Sequence, residues 1–306
     1  MALFSSPPVY LTLALCLSSL SLGCDGGCSK SDPAPPLPTS GSSIASSSPD
    51  ARTTRATDAG AILNGTPLPP EAIEAIVNPR HLPPYPGPFV TVRGTIRVDK
   101  EAPIRMKVPS ADLAKCPVRA PDFDAIYRAS KLEKGFGLQD ALVFSVEYTG
   151  YVPEQHEAKT VTIDQCAYLP RTVSMTFGQR LDVTNLDRIT HAPSFAENPL
   201  PILNLATPKA PPVKVFTTRP GVFWLIDAIG PAWLKSRVFV LPQSVHTVSA
   251  DRGAYELRVP TGKQKIVFRH PAFEAEIVRE IEAKDGVPVD LDVDFRFVIP
   301  DAGATK

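Results

Sequence analysis

Proline constrains this chain more than any other feature. It supplies 34 of the 306 residues, about twice the usual ~5%, and inside a helix each proline costs about 3 kcal/mol. Long helices are therefore excluded, whereas turns, strand starts and edge strands accept the residue. The prolines are also unevenly spread. Thirteen of them fall between residues 31 and 90, beside serine runs at Ser42-Ser43 and Ser46–Ser48. No apolar period is sustained from Asp25 to about Pro88, and such a composition buries too little surface to offset its ordering entropy. Residues 24–87 therefore read as a disordered Pro/Ser-rich tether. One island interrupts it: Pro70–Val77 has apolar residues at helical spacing, with Asn78-Pro79 as a stop, and predicts a helix of one or two turns.

From Phe89 the pattern alternates. Phe89–Val98 has the period of two of a half-buried strand. Similar runs recur at Ala141–Tyr148, Lys159–Ile163, Arg171–Thr176, Arg180–Asn185, Val213–Thr217, Val222–Ile226 and Arg237–Leu241. Four more follow at Ala254–Val259, Lys263–His270, Glu274–Ile281 and Val287–Phe297. Turn pairs such as Phe177-Gly178, Pro220-Gly221 and Thr261-Gly262 separate them. Short strands at this spacing define an all-β chain of sandwiches or barrels. The only internal helix candidate is Ser110–Lys115, extended toward Tyr127.

Lysine plus arginine and aspartate plus glutamate both number 32, so the formal charge is zero. Nucleic acid is not an expected partner, because its binding rests on a basic surface. No Gly-x-Ser-x-Gly elbow, Walker loop, His-Glu-x-x-His or Cys-x-x-Cys occurs. The chain is accordingly read as no enzyme. The alternation after His270 sets Phe273 on one face and Glu274 and Glu276 on a solvated one, and His246 and His270 are expected to be structural.

Residues Tyr10 to Gly23 form an apolar run of 14, too short for a ~30 Å bilayer core, which needs about 20. The run fits the apolar segment of a signal peptide over 1–23. Cys24 after Gly23 resembles the lipobox of bacterial lipoproteins, which implies an acylated Cys24, a membrane contact through lipid and a place in the bacterial cell envelope, in the periplasm or at the surface. The alternative is an ordinary signal peptide cleaved nearby. Of the five cysteines, Cys16 falls in the signal and Cys28 in the tether. Cys116 and Cys166 remain in the body, where an oxidising compartment favours a disulfide between them. Closing a loop of about 50 residues stabilises by roughly 4 kcal/mol. Two buried free thiols are the alternative.

The stretch Asp164-Gln-Cys-Ala-Tyr-Leu-Pro170, then Phe177-Gly-Gln-Arg-Leu-Asp-Val-Thr-Asn-Leu-Asp187 and His191, resembles the cupredoxin-like half of a group of bacterial lipoproteins. His246–Asp251, Gly253–Leu257 and Val259–Gly262 look like a carboxypeptidase regulatory-like (transthyretin-like) domain. The resemblance implies two Greek-key-type β-sandwiches, a cupredoxin-like one over 88–241 and a regulatory-like one over 242–299. A working cupredoxin holds copper with a histidine after the Asn-x-Asp strand and a late Cys, His and Met on one loop. His191 takes the first position. The late loop, Phe223–Lys235, carries Asp227 or Ala228, Gly230 and Leu234 at the other three, and contains no Cys, His or Met. His191 is thus a vestigial metal position, with Asp227 its expected partner at the sandwich end, and its removal is expected to change stability slightly. No cofactor is expected. The implied function is a non-enzymatic binding or scaffold module with an envelope protein as partner. The alternative is a metal-binding or copper electron-transfer protein using His191 with further ligands.

Overall fold

The computed structural model describes residues 66–103, 125–197 and 204–297. The signal segment, Cys24, most of the tether, Cys116 and the helix expected at Ser110–Lys115 lie outside them. The expected short helix is present as α1 (Pro70–Val77). Asn78 closes it, accepting the Leu82 N–H at 2.9 Å and donating to the Leu82 carbonyl at 3.0 Å.

Apart from a 3₁₀ turn at Asp251–Gly253, the other elements among the described residues are β-strands. In chain order come β1 (Phe89–Val98), β2 (Ala129–Lys131), β3 (Phe136–Leu138) and β4 (Leu142–Glu147). Eight more follow: β5 (Ala158–Asp164), β6 (Ala167–Leu169), β7 (Thr172–Thr176), β8 (Arg180–Asn185), β9 (Pro193–Phe195), β10 (Val213–Phe216), β11 (Gly221–Asp227) and β12 (Lys235–Leu241). The last six are β13 (His246–Val248), β14 (Ala254–Pro260), β15 (Gly262–Arg269), β16 (Ile277–Ala283), β17 (Val289–Asp290) and β18 (Val293–Phe295).

Strands β5 to β12 form two four-stranded sheets, ordered β10-β8-β5-β6 and β7-β12-β11-β9. Their inner faces meet in one core that includes Val161, Ile163, Tyr168, Leu181, Val183, Leu225 and Val238. The alternation sets this up. In β8, Leu181, Val183 and Asn185 point in while Arg180 and Asp182 pair outside at 2.9 Å. In β11, Phe223, Leu225 and Asp227 are the buried positions. Each inward row therefore ends in a polar residue, Asn185 on one sheet and Asp227 on the other. Ile73 and Val77 of α1 pack on the same core. Gly178 leaves room for that helix: its φ is +99°, and a Cβ there would stand 2.6 Å from Ile73 Cγ2.

The second sandwich is discontinuous, which corrects the expected division at 241/242. β1 pairs antiparallel with β14 from Phe89↔Pro260 to Thr95↔Ala254, and parallel with β17 and β18. β4 pairs with both β13 and β15. Strands β1 to β4 thus share a core with β13 to β18, including Val92, Ile96, Val143, Leu257, Ile266 and Phe268. The first sandwich is an insert between β4 and β13. Alternation told which residues are strand and which face is buried. It is silent on partners, and about a third of consecutive strands are not neighbours.

The turn after β15 is a further correction. Residues 271–276 are not strand, because β16 begins at Ile277. Phe273 leaves the alternation to join Tyr127, His270, Phe295 and Phe297, with ring centroids 5.0–5.9 Å away. Glu274 and Glu276 are solvent-exposed as expected. Tyr127 is not helical, and its hydroxyl donates to the Lys100 carbonyl at 2.8 Å.

Candidate functional site

The site lies where the two inward rows end. At the β5–β6 hairpin, Asp164 pairs with Ala167 and the two turn residues, Gln165 and Cys166, have φ of +53° and +54°. Positive φ at both positions is the geometry of a type I′ turn, whose twist matches the flanking strands. Both turn N–H groups meet one carboxylate: Gln165 donates to Asp187 Oδ1 at 2.6 Å and Cys166 to Asp187 Oδ2 at 2.8 Å.

Asp187 reaches that turn because Asn185 organises the β8–β9 connection. Asn185 Oδ1 accepts the Asp187 N–H at 2.8 Å, while its Nδ2 donates to the Ile189 and Ala206 carbonyls, each at 2.7 Å. Four residues on, His191 forms a bridge with Ala206 that brings its imidazole inside. The ring is 1% exposed. Its Nδ1 lies 2.7 Å from Asp227 Oδ2 and its Nε2 lies 3.1 Å from Asp187 Oδ2. Asp227 is further held by the N–H groups of Ala192 at 2.8 Å and Ile229 at 3.2 Å. Gly230 is required here, since a Cβ would stand 2.2 Å from Asp227 Oδ2.

A carboxylate only accepts hydrogen bonds, so an imidazole facing one at each nitrogen donates at both and is an imidazolium. Burial pulls the His191 pKa down, but the hydrogen bonds and charges of Asp227 and Asp187 outweigh it and the net shift is upward. For Asp227, burial pushes the pKa up, and the His191 contact with the Ala192 and Ile229 N–H groups brings it below the ordinary carboxylate value. The result is a buried Asp–His–Asp clamp joining the β5–β6 turn, the β8–β9 connection and the β11–β12 loop. Such a unit is costly to break, which raises the expected cost of removing His191 above the slight change anticipated from the sequence.

The structure brings three sequence-selected residues, Cys166, His191 and Asp227, to one end of the sandwich. Asp187 was missed as a partner of His191. Its signal was the four-residue spacing between them, which the connection turns into a contact. Cys166 Sγ, an Asp187 oxygen and a His191 nitrogen all lie within 4.8 Å of one another. Cys166 is disulfide-bonded, and its partner falls outside the described residues. If that partner is Cys116, as expected from the cysteine count, thiol labelling of the denatured, unreduced protein should leave both positions unmodified; labelling at both would refute the pairing. In the late loop, Leu234 is buried in the core and Trp233 nearly so.

Four aliphatic side chains have high exposure on the surrounding loops: Leu186 at 63% and Ile189 at 48% on the β8–β9 connection, Ile229 at 57% on the β11–β12 loop, and Leu205 at 54% on the β9–β10 connection. Elsewhere, His246 links the two sandwiches. Its Nδ1 lies 2.9 Å from Ser174 Oγ and its Nε2 lies 3.1 Å from Thr176 Oγ1, both on β7. His270 Nδ1 accepts the Ala272 N–H at 3.1 Å.

No protein-family model matches the chain, and no curated protein matches it. Among solved structures it is similar to a reduced-state amicyanin mutant, at 16% identity over 27% of this chain and 81% of that one, with a TM-score of 0.23. A second amicyanin mutant, in the Cu(I) state, matches at 15% identity over 28% and 85% of the two chains, with a TM-score of 0.22. A copper-containing nitrite reductase from Thermus scotoductus matches at 18% identity over 31% of this chain and 25% of its own, with a TM-score of 0.25.

Proposed function

We propose that this chain is a non-enzymatic envelope lipoprotein whose cupredoxin-like sandwich serves as a binding module for another envelope protein. The observation that carries the reading is the clamp. Type 1 copper needs a thiolate and imidazoles, with a weak axial ligand. The donors present do not fit that set. His191 spends both nitrogens on carboxylates, and the loop Leu225–Lys235 contains no sulfur or imidazole. The clamp instead ties the β8–β9 connection and the β11–β12 loop, which present Leu186, Ile189 and Ile229, while Leu205 stands next to Ala206, which bonds to Asn185 and His191; exposed apolar side chains on such loops suit protein contact. The strands that resemble a carboxypeptidase regulatory-like domain are read as a folding and interaction appendage.

Copper loading tests this. The isolated protein, with its disulfide intact, is expected to stay colourless in Cu(II) and to show no intense visible charge-transfer band. A strong blue absorption lost in His191→Ala would overturn the binding-module reading in favour of electron transfer. The address is tested separately. Cys24→Ser is expected to release the protein from the membrane fraction or to stall its processing, and membrane association unchanged at normal size would remove the anchor from the reading.

A further inference from the structure

We propose that reduction of the Cys166 disulfide opens a zinc site formed by Cys166 Sγ, His191 Nε2 and a carboxylate oxygen of Asp187. The proposal goes beyond the binding-module reading and does not rest on it. Its basis is a convergence of three different donor atoms, on two separate turns, within 4.8 Å of one another.

The donor set is chemically specific. Thiolate, imidazole and carboxylate are the three side-chain ligands that Zn²⁺ takes, at about 2.0 to 2.3 Å, and three protein ligands with a water complete a tetrahedron. Softer Cu⁺ would gain little from the carboxylate, and harder Mg²⁺ little from the sulfur. The surroundings are those of a metal-ligating histidine. Such a ring usually gives its other N–H to a carboxylate, which fixes its orientation and raises its basicity. His191 does so, with Nδ1 2.7 Å from Asp227 and Nε2 aimed at Asp187, 3.1 Å away. The position between Nε2 and Asp187 Oδ2, 3.1 Å apart, is where the metal would sit. Little movement is required of the turn, because Asp187 already holds the N–H groups of Gln165 and Cys166.

The disulfide is the gate. While Cys166 is bonded to another sulfur it carries no anionic charge, and the clamp keeps its proton. A dithiol reductant supplies two electrons and two protons: the protein S–S bond breaks, both its sulfurs become thiols, and the reductant closes its own disulfide. Zn²⁺ then displaces the proton of Cys166 Sγ and that of His191 Nε2 to solvent, and Asp187 turns an oxygen from the proton to the metal.

The test uses the full chain, reduced with dithiothreitol, freed of it under anaerobic conditions and loaded with Zn²⁺ or Co²⁺. One equivalent of zinc should remain after gel filtration. Co²⁺ should give the visible bands of a tetrahedral centre with a near-ultraviolet thiolate charge-transfer band. Cys166→Ser should weaken zinc binding at least 100-fold, and Cys116→Ser should retain it. Asp227→Asn, which alters only the orienting partner, should cost about 10- to 100-fold. The proposal is overturned by reduced protein that binds no zinc, by equal binding in Cys166→Ser, by loss in Cys116→Ser, or by equal binding in the oxidised protein. The cobalt spectrum of the unmutated chain decides the matter if a variant fails to fold: without a thiolate band, the site is not there.

Discussion

His191→Ala is expected to destabilise the folded body by about 3–5 kcal/mol, the usual cost of removing one member of a buried ion pair. For a body of this size that corresponds to a fall in melting temperature on the order of 10 °C. The size follows from what stays behind. Asp227 has 1% side-chain exposure and Asp187 12%, so two carboxylates would remain with little solvent and no cation between them. Arg93→Ala is the contrasting variant: its pairing with Asp290 at 2.8 Å is 58% and 76% exposed, and the midpoint should hardly move. The pH dependence adds a second check. His191 has a raised folded pKa, so its stabilisation is complete below the unfolded value near 6.5 and is lost as pH climbs through the raised value. Asp227 has a lowered one, so its share is present above about 3.8 and is lost as pH falls through the lowered value. The gap between wild type and His191→Ala should therefore be widest at mildly acid to neutral pH and close at both extremes. A gap under 1 kcal/mol throughout would show that the clamp is not a stabilising unit.

Much of this site could be read from spacing, and the reason is parity. In Arg180–Asn185 and Gly221–Asp227 the inward residues recur every second position, so the rows ending in Asn185 and Asp227 are visible in the sequence. That is enough to place Asp227 beside a histidine in the loop at the same end. Parity cannot show that Asp187 would take the other nitrogen. Its position depends on two hydrogen bonds from a turn in another hairpin, and Gln165-Cys166 lacks the Asn-Gly or Asp-Gly signature that normally announces such a turn. The division of the chain failed for a related reason. Phe89–Val98 announces its faces clearly, yet its long antiparallel partner is Ala254–Pro260, across the whole inserted sandwich. His246 belongs to the same class of omission. Nothing in its flanking strand pattern foretells that Ser174 and Thr176, 72 and 70 residues earlier, would receive its ring.

Acid should weaken this protein well before its carboxylates titrate. Burial pushes both His246 and His270 down to about 4, Lys159 adding to the effect at His246 and Arg171 and Arg128 at His270. Opposing charges, Glu154 at the first and Asp140 at the second, do not compensate. Unfolded histidines bind a proton near 6.5, so between that value and 4 the unfolded state holds up to two protons that the folded state refuses. Stability is then full above about pH 6.5 and declines at up to about 2.7 kcal/mol per pH unit near pH 5, from 1.36 kcal/mol per proton per unit. By pH 4 each histidine withdraws up to about 3 kcal/mol, and the two together rival the 5–15 kcal/mol that holds a typical domain. His191 works in the other direction above 6.5, so the optimum should lie near pH 6.5 to 7. Urea unfolding at half-unit steps from pH 7 to 4.5 measures the slope directly. His246→Asn should halve it, leaving about 1.4 kcal/mol per unit, and should loosen the bond to β7 without altering the remaining slope. A slope near zero in the wild type, or one that survives substitution of both histidines, would mean that the rings take protons while folded and that their burial does not govern the acid limit.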